Sequence, residues 1–200
     1  MLRLSSPFAP RSLAEVVGQP PVNILRRYAS LPPARRPSRC FLMEGDGGTG
    51  KSVSAYLLAE ELGAGDETAF GSGYFNVIPA SELRIEQCNE LFGRVLRLSF
   101  AWKVVILEEL DGLPSKAVER FLKVNMEEQR LPSRTTVVAT SNGAGNLDPA
   151  FLQRFRILRY GNGPSFRTAC QDRLGELWKA ETGQDDLPTG WLHWGVTSEG

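Results

Sequence analysis

The sequence predicts an α/β domain with a mostly parallel central sheet. Three observations predict it. Short apolar runs alternate with segments whose apolar residues recur at helical spacing, the order that builds a parallel sheet covered by helices. One run, Lys103-Val104-Val105-Ile106-Leu107, is apolar nearly throughout, as strands buried on both faces are. A glycine-rich turn joins the first run to the first helical segment.

The elements follow in order. Cys40-Phe41-Leu42-Met43-Glu44 is the first strand. Lys51 to Leu62 predicts a helix with Val53, Leu57, Leu58 and Leu62 at helical spacing and Gly63 as its stop. Tyr74 to Ile78 is β-rich and ends at Pro79. Glu82 to Leu98 predicts a helix with Leu83, Leu91, Phe92 and Val95 on one side. After the Lys103–Leu107 strand, Ser115 is placed to cap a helix running to about Glu128, with Val118, Phe121, Leu122 and Met126 as its apolar stripe. Thr135 to Thr140 predicts a fourth strand. Asp148-Pro149 opens a short helix, Asp as cap and Pro in the first turn. Ile157 to Tyr160 predicts a fifth strand. Gly161-Asn162-Gly163-Pro164 reads as a linker. Ser165 is placed to cap a last helix with Phe166, Ala169, Cys170, Leu174, Leu177 and Trp178 on one face, stopped by Gly183. Beyond it Trp191, His193 and Trp194 lie in a stretch whose rings need a surface to pack on.

Composition narrows the class. Two hundred residues make one domain, or one domain with a small appendage. A hydrophobic fraction of 42% excludes wholesale disorder. No apolar run approaches the roughly 18 residues of a membrane-spanning helix, which excludes an integral helical membrane protein. Cys40, Cys88 and Cys170 are scattered and odd in number, which suits a reducing, cytoplasmic setting better than a disulfide framework. Formal net charge is zero, so it argues neither for nor against nucleic acid. The charge is uneven, however. Residues 1–40 carry seven arginines and one acid, and residues 41–80 carry one base and six acids. An Arg-rich, acid-poor start shares the composition of a transit peptide, but the segment also reads as folded structure.

The most specific motif is Gly45-Asp46-Gly47-Gly48-Thr49-Gly50-Lys51-Ser52, a match to the phosphate loop GxxxxGK[ST]. Glycines let the backbone curl until several N–H groups point at phosphate oxygens, and the following helix adds its positive end. Lys51 is placed to reach the β- and γ-phosphates, and the Ser52 hydroxyl to bind magnesium. The binding set runs through Gly45, Asp46, Gly47, Gly48, Thr49, Gly50, Lys51, Ser52 and Val53. ATP and Mg2+ are the expected ligands. The strand ending at Leu107 runs into Glu108-Glu109, carboxylates presented beside the loop at the carboxyl edge of the sheet. Glu108 is the expected magnesium-side carboxylate, through a water, and Glu109 the group that orients attacking water. Asn142, after the next strand, is placed to touch the γ-phosphate or that water. Arg154 ends a short helix from which an arginine can reach a neighbouring subunit's nucleotide.

With these motifs placed, residues of about 10–160 resemble an AAA+ ATPase of the clamp-loader type, the group of the replication factor C small subunits and the bacterial gamma/tau subunit. Pro10-Arg11-Ser12-Leu13-Ala14-Glu15-Val16-Val17-Gly18-Gln19 resembles the family's opening RPxxLxxVVGQ segment. Ala80-Ser81-Glu82-Leu83-Arg84 is similar to its ASDER stretch, Lys103 to Asp111 to KVVILDEAD, and Met126-Glu127-Glu128 to MEE. The resemblance implies a three-layer α/β/α core (1–160) with a central five-stranded parallel sheet, and a truncated helical lid (161–200). It implies an adenine contact at Val17 and Gly18, sensor 1 at Asn142, and an arginine finger at Arg154 acting on an adjacent subunit. Self or related AAA+ subunits are thus expected partners, with DNA and a sliding clamp or another replication protein beside them. Arg84, Arg94 and Arg97 are the candidate DNA contacts, on a helix that also carries Glu82, Glu86 and Glu90.

Four departures stand out. Glu108 occupies the family's Asp position, Asp46-Gly47 replaces two prolines, and Gln153-Arg154-Phe155 replaces Ser-Arg-Cys. The chain also leaves about 40 residues after Tyr160 for lid and collar, and neither Arg167 nor Arg173 suits sensor 2. Three functions follow from the resemblance: a clamp-loader-like subunit hydrolysing ATP, an AAA+ protein remodeller or helicase loader, and a weakly active ATP-binding structural subunit.

Overall fold

The computed structural model describes residues 9–64, 67–68, 71–72, 74–98 and 102–185. The Trp191–Trp194 stretch lies outside them. Strands are β1 (Arg39–Glu44), β2 (Glu67–Thr68), β3 (Gly71–Ser72), β4 (Tyr74–Pro79), β5 (Lys103–Glu108), β6 (Thr135–Ser141) and β7 (Arg156–Arg159). Helices are α1 (Val22–Ala29), α2 (Lys51–Glu61), α3 (Ile85–Glu90), α4 (Leu96–Leu98), α5 (Lys116–Asn125), α6 (Pro149–Leu152) and α7 (Pro164–Thr182).

The five predicted strands form one sheet in the order β4-β5-β6-β1-β7, with every pairing parallel. Strands β2 and β3 make a separate two-residue antiparallel ladder. Side chains alternate between the two faces of the sheet. Cys40, Leu42, Val105, Leu107, Val137 and Ala139 pack into one core with Leu83, Phe92, Leu122 and Phe151 of the helical side. Phe41, Met43, Val104, Ile106 and Val138 pack into the other with Leu25 of α1 and Ala55 and Leu58 of α2. The result is the three-layer α/β/α sandwich expected of the sequence. Val104 to Leu107 are fully buried, which is why that strand reads as an unbroken apolar run.

Several boundaries differ from expectation. The predicted Glu82–Leu98 helix begins at Ile85, because Ala80–Glu82 forms a 3-10 turn and Arg84 is extended. It then widens into an i→i+5 turn over Leu91–Val95 around Gly93. The Ser115 helix stops at Asn125 rather than Glu128, although its cap is as expected, Ser115 Oγ accepting from the Val118 N–H. Asp148 likewise caps α6, accepting from the Ala150 N–H at 2.7 Å. Ser165 does not cap α7. Gly163 takes that place with Pro164 as the first helical residue, because proline's fixed φ suits the first turn and its missing N–H costs nothing there. Helix α1 was not read from the sequence. No described helix is long and apolar enough to cross a membrane.

Candidate functional site

The site lies at the carboxyl edge of the sheet, where β1, β5 and β6 end side by side. Strand β1 leaves at Glu44 and turns sharply. Gly45 has φ +152°, and a Cβ there would collide with the Tyr160 carbonyl, so the loop's first position admits only glycine. Gly48 and Gly50 also take positive φ, and Gly50 is the N-cap of α2. Thr49 is buried and its hydroxyl donates to the Asp46 carbonyl at 2.8 Å, tying the loop to itself.

Lys51 opens α2 and folds back over the loop. Its ammonium donates to the Gly45 and Asp46 carbonyls, each at 2.6 Å, and to Asn142 Oδ1 at 3.0 Å. All three of its protons are therefore directed into the loop and toward the end of β6. Burial pushes its pKa down, and the charges of Asp46 and Asp111 oppose that shift. Ser52 stands exposed at the start of α2, and Val53 is half-buried behind it.

Strand β5 ends at Glu108, half-buried, whose Oε1 accepts a hydrogen bond from the Tyr56 hydroxyl at 2.9 Å. Glu109 follows with an exposed side chain and a left-handed backbone, φ +54° and ψ +57°. Such a conformation strains a non-glycine residue by about 1–3 kcal/mol. Its N–H donates to Thr140 Oγ1 at 3.2 Å, so β6 helps hold the strained turn. The turn that follows carries Asp111 to Ser141, whose hydroxyl donates to Asp111 Oδ1 at 2.7 Å. Asp111, Thr140 and Tyr56 are the working neighbours that sequence reasoning did not assign. Asp111 was visible as the last residue of the acidic motif; the other two are known only from tertiary contact.

The sequence-derived set thus divides. Lys51, Asn142 and the Gly45–Ser52 loop are brought together, with Glu108 and Glu109 at the adjoining strand end. The Val17-Gly18 segment meets α7 through Gly18, and its next residue, Gln19, is bonded to Gly161, one residue past the Tyr160 whose carbonyl abuts Gly45 of the loop. Gly18 has φ +68°, and a Cβ on it would lie 2.9 Å from the Phe166 ring. Gln19 binds the linker at both ends of its amide, donating to the Gly161 carbonyl at 2.9 Å and accepting from the Gly161 N–H at 3.2 Å.

Arg154 lies away from the loop. It precedes β7, whose Arg156 pairs with Phe41, whereas the loop follows Glu44. It is therefore at the opposite edge of the sheet. Its guanidinium forms an ion pair with Glu127 at 2.9 Å and donates to the Lys123 carbonyl at 3.3 Å. It lines an open cavity of about 850 Å³ with Arg27, Arg39, Arg156, Tyr28 and Phe41. This concavity contains no residue of the loop. Arg84, Arg94 and Arg97 are exposed, but Arg84 donates to the Ser81 and Leu83 carbonyls and Arg97 to that of Phe92. Arg94 lies inside the wide turn Leu91–Val95 and Arg97 just after it.

The donor set fits a divalent cation of the magnesium type: the Ser52 hydroxyl and a Glu108 carboxylate oxygen, both hard oxygen ligands. Among the described residues no group of three or more His, Cys, Asp or Glu side chains forms a dedicated metal cage.

Comparison with known proteins agrees with this geometry. Residues 41–161 match the ATPase family associated with various cellular activities (AAA). Over 133 residues the chain is 34% identical to the Holliday junction branch migration complex subunit RuvB of Myxococcus xanthus, covering 65% of this chain and 35% of that protein. The solved Thermotoga maritima RuvB branch migration motor superposes with a TM-score of 0.63 at 20% identity, covering 87% of this chain and 55% of that one. A DNA polymerase III gamma subunit-related protein of Thermotoga maritima gives a TM-score of 0.55 at 14% identity, covering 80% and 52%. At these identities the structural likenesses establish the fold. The chain spans about a third of the length of the curated relative it matches and about half that of the solved ones. The phosphate loop, the paired acids at the end of β5 and the family match together place this chain in the AAA family of P-loop ATPases.

Proposed function

We propose that this chain hydrolyses ATP with magnesium at a site completed by a neighbouring subunit, and that it serves a DNA-acting motor of the RuvB kind. The observation that carries the ATPase reading is Lys51. Its three donors converge on the loop and on Asn142, at the strand ends that also present Glu108 and Glu109.

The chemistry follows from position. With a triphosphate in the loop, Lys51 exchanges its carbonyl partners for β- and γ-phosphate oxygens, and Asn142 is freed to hold the γ-phosphate or the lytic water. Ser52 and Glu108 would hold the magnesium, which when bound neutralises charge on the phosphates. Glu109 orients water, its carboxylate exposed on a turn that Thr140 and the Asp111–Ser141 bond keep rigid. Catalysis is then positioning and charge stabilisation. Arg154 acts on the neighbour, since its own loop is at the other edge of the sheet. Val17 and Gly18 contact adenine, and Arg84, Arg94 and Arg97 contact DNA phosphates.

RuvB is favoured by the 34% identical relative. A clamp-loader role is the second reading, favoured by the Pro10–Gln19 and Lys103–Asp111 segments and by the gamma-subunit-related fold. The test is phosphate release from the full chain alone, with a four-way DNA junction, and with primed template plus clamp. Lys51→Ala is expected to abolish ATP binding. Glu109→Gln is expected to keep binding and to lose at least about a hundredfold in turnover. Normal ATP binding by Lys51→Ala overturns the ATPase reading. Stimulation by primed template and not by the junction selects the clamp-loader role.

A further inference from the structure

Two side chains of α2 are spaced to face the end of β5 together. Ser52 and Tyr56 lie one turn apart, and i,i+4 spacing puts them on one side of the helix. The Tyr56 hydroxyl donates to Glu108 Oε1 at 2.9 Å. Its ring stands edge-on to Phe75 of β4, centroids 6.3 Å apart, so the phenol is held from the side as well. A phenol hydroxyl is neutral at pH 7, and here its oxygen is the donor and the carboxylate the acceptor.

The bond settles one freedom of Glu108. A glutamate carries its carboxylate on a longer, more mobile stem than an aspartate, and a free one must be ordered before it can serve a metal. A neutral donor orders it without repelling a cation, as a lysine or arginine in the same place would. One oxygen is engaged by this bond. We propose that Tyr56 is a positioning residue for the divalent cation: by holding Oε1 of Glu108 it sets the affinity of the site for metal and leaves the affinity for nucleotide nearly unchanged. This rests on the ATPase reading above.

Tyr56→Phe removes one oxygen and keeps the ring contact with Phe75. At saturating ATP, the Mg2+ concentration giving half-maximal phosphate release is expected to rise about tenfold. Binding of a fluorescent ATP analogue in EDTA is expected to stay within about twofold of wild type. A second readout does not depend on turnover. Mn2+ binding to the ADP-loaded chain, followed by electron paramagnetic resonance, is expected to weaken by the same factor. In a Glu108→Gln background, adding Tyr56→Phe is expected to change Mn2+ binding no further. Unchanged Mn2+ affinity in Tyr56→Phe overturns the proposal and leaves the ATPase reading standing. Parallel loss of metal and of metal-free nucleotide binding also overturns it, since Tyr56 would then only support the fold. Normal ATP binding by Lys51→Ala would instead count against the ATPase reading, and the Mn2+ comparison would still decide the role of Tyr56.

Discussion

Thr136 is fully buried in the middle strand of the sheet and is one of four groups in a directed relay. Trp102 Nε1 donates to its hydroxyl at 2.9 Å. The Pro37 carbonyl can only accept, so the Tyr28 proton goes there at 2.8 Å, and the Thr136 proton goes to Tyr28 at 2.9 Å. Arg36 lies over the Trp102 ring, 4.7 Å from its centroid. Burial is the main reason that Tyr28 is pushed up to about 12. A phenol whose folded pKa lies above the unfolded value of about 10 stabilises the fold fully below that pH and loses the contribution as pH rises toward about 12. Tyr28→Phe is expected to cost about 1–3 kcal/mol at neutral pH, because it strands the Pro37 and Thr136 groups. It is also expected to flatten the fall in stability between about pH 10 and pH 12. Urea unfolding followed by tryptophan fluorescence at several pH values checks both. Equal slopes for the two proteins would show that the Tyr28 phenol does not titrate with unfolding. Residues of this kind are poorly legible in a sequence. Lys51 and Asn142 were found because a motif names them, whereas the Tyr56–Glu108 and Arg154–Glu127 pairs join residues 52 and 27 positions apart.

At the scale of elements, α7 is attached differently from the rest. None of its residues is fully buried, and the apolar face predicted for it is only half-covered. It rests on the leading segment where Phe166 and Ala169 close over Gly18, while Gln19 grips Gly161 just before the helix. Gly18→Ala is therefore expected to push α7 off this seat. A Cβ would lie 3.0 Å from the Phe166 backbone and 3.1 Å from Ala169, and positive φ adds strain. Hydrogen exchange over 164–182 is expected to rise at least about tenfold, with β1, β5 and β6 unchanged. Exchange that rises equally in the sheet would mean that α7 is not a separable element. The strands were the legible elements, since burial on both faces leaves an apolar run that composition alone displays. Helix α1 escaped notice because it is only eight residues long and buries just Val22, Leu25 and Tyr28, with Ile24 and Ala29 half-covered beside them. The wide turn at Leu91–Val95 left no local signal beyond Gly93. Ser165 was misjudged because serine and the Gly163-Pro164 pair both mark helix starts, and proline's geometry prevailed.

At the scale of the whole molecule, parallel topology separates the two halves of the proposed catalytic apparatus. All five main strands run the same way, so residues after β1 and residues before β7 emerge at opposite edges. One edge carries Glu44, Asp46, Glu108, Glu109 and Asp111 beside Lys51. The other carries Arg27, Arg39, Arg154 and Arg156 around the open cavity, with Glu128 paired to Arg39 and Glu127 to Arg154, so that arginines still outnumber acids there. An acidic edge and a basic edge on one chain suit head-to-tail association, in which each copy offers a different surface to each neighbour. Lys51→Ala and Arg154→Ala should then disable different halves of a shared site. Each variant alone is expected to lose nearly all phosphate release. Mixed in equal amounts, they should recover about a quarter of wild-type activity, because random assembly pairs an intact loop with an intact arginine at that fraction of interfaces. Dilution of the wild-type chain should lower specific activity as the interfaces dissociate. If the mixture stays inactive while both variants still co-assemble in analytical ultracentrifugation, Arg154 does not complete a neighbour's site. If Arg154→Ala alone keeps full activity, the Glu127 ion pair is the whole role of that arginine, and the basic edge serves something other than catalysis.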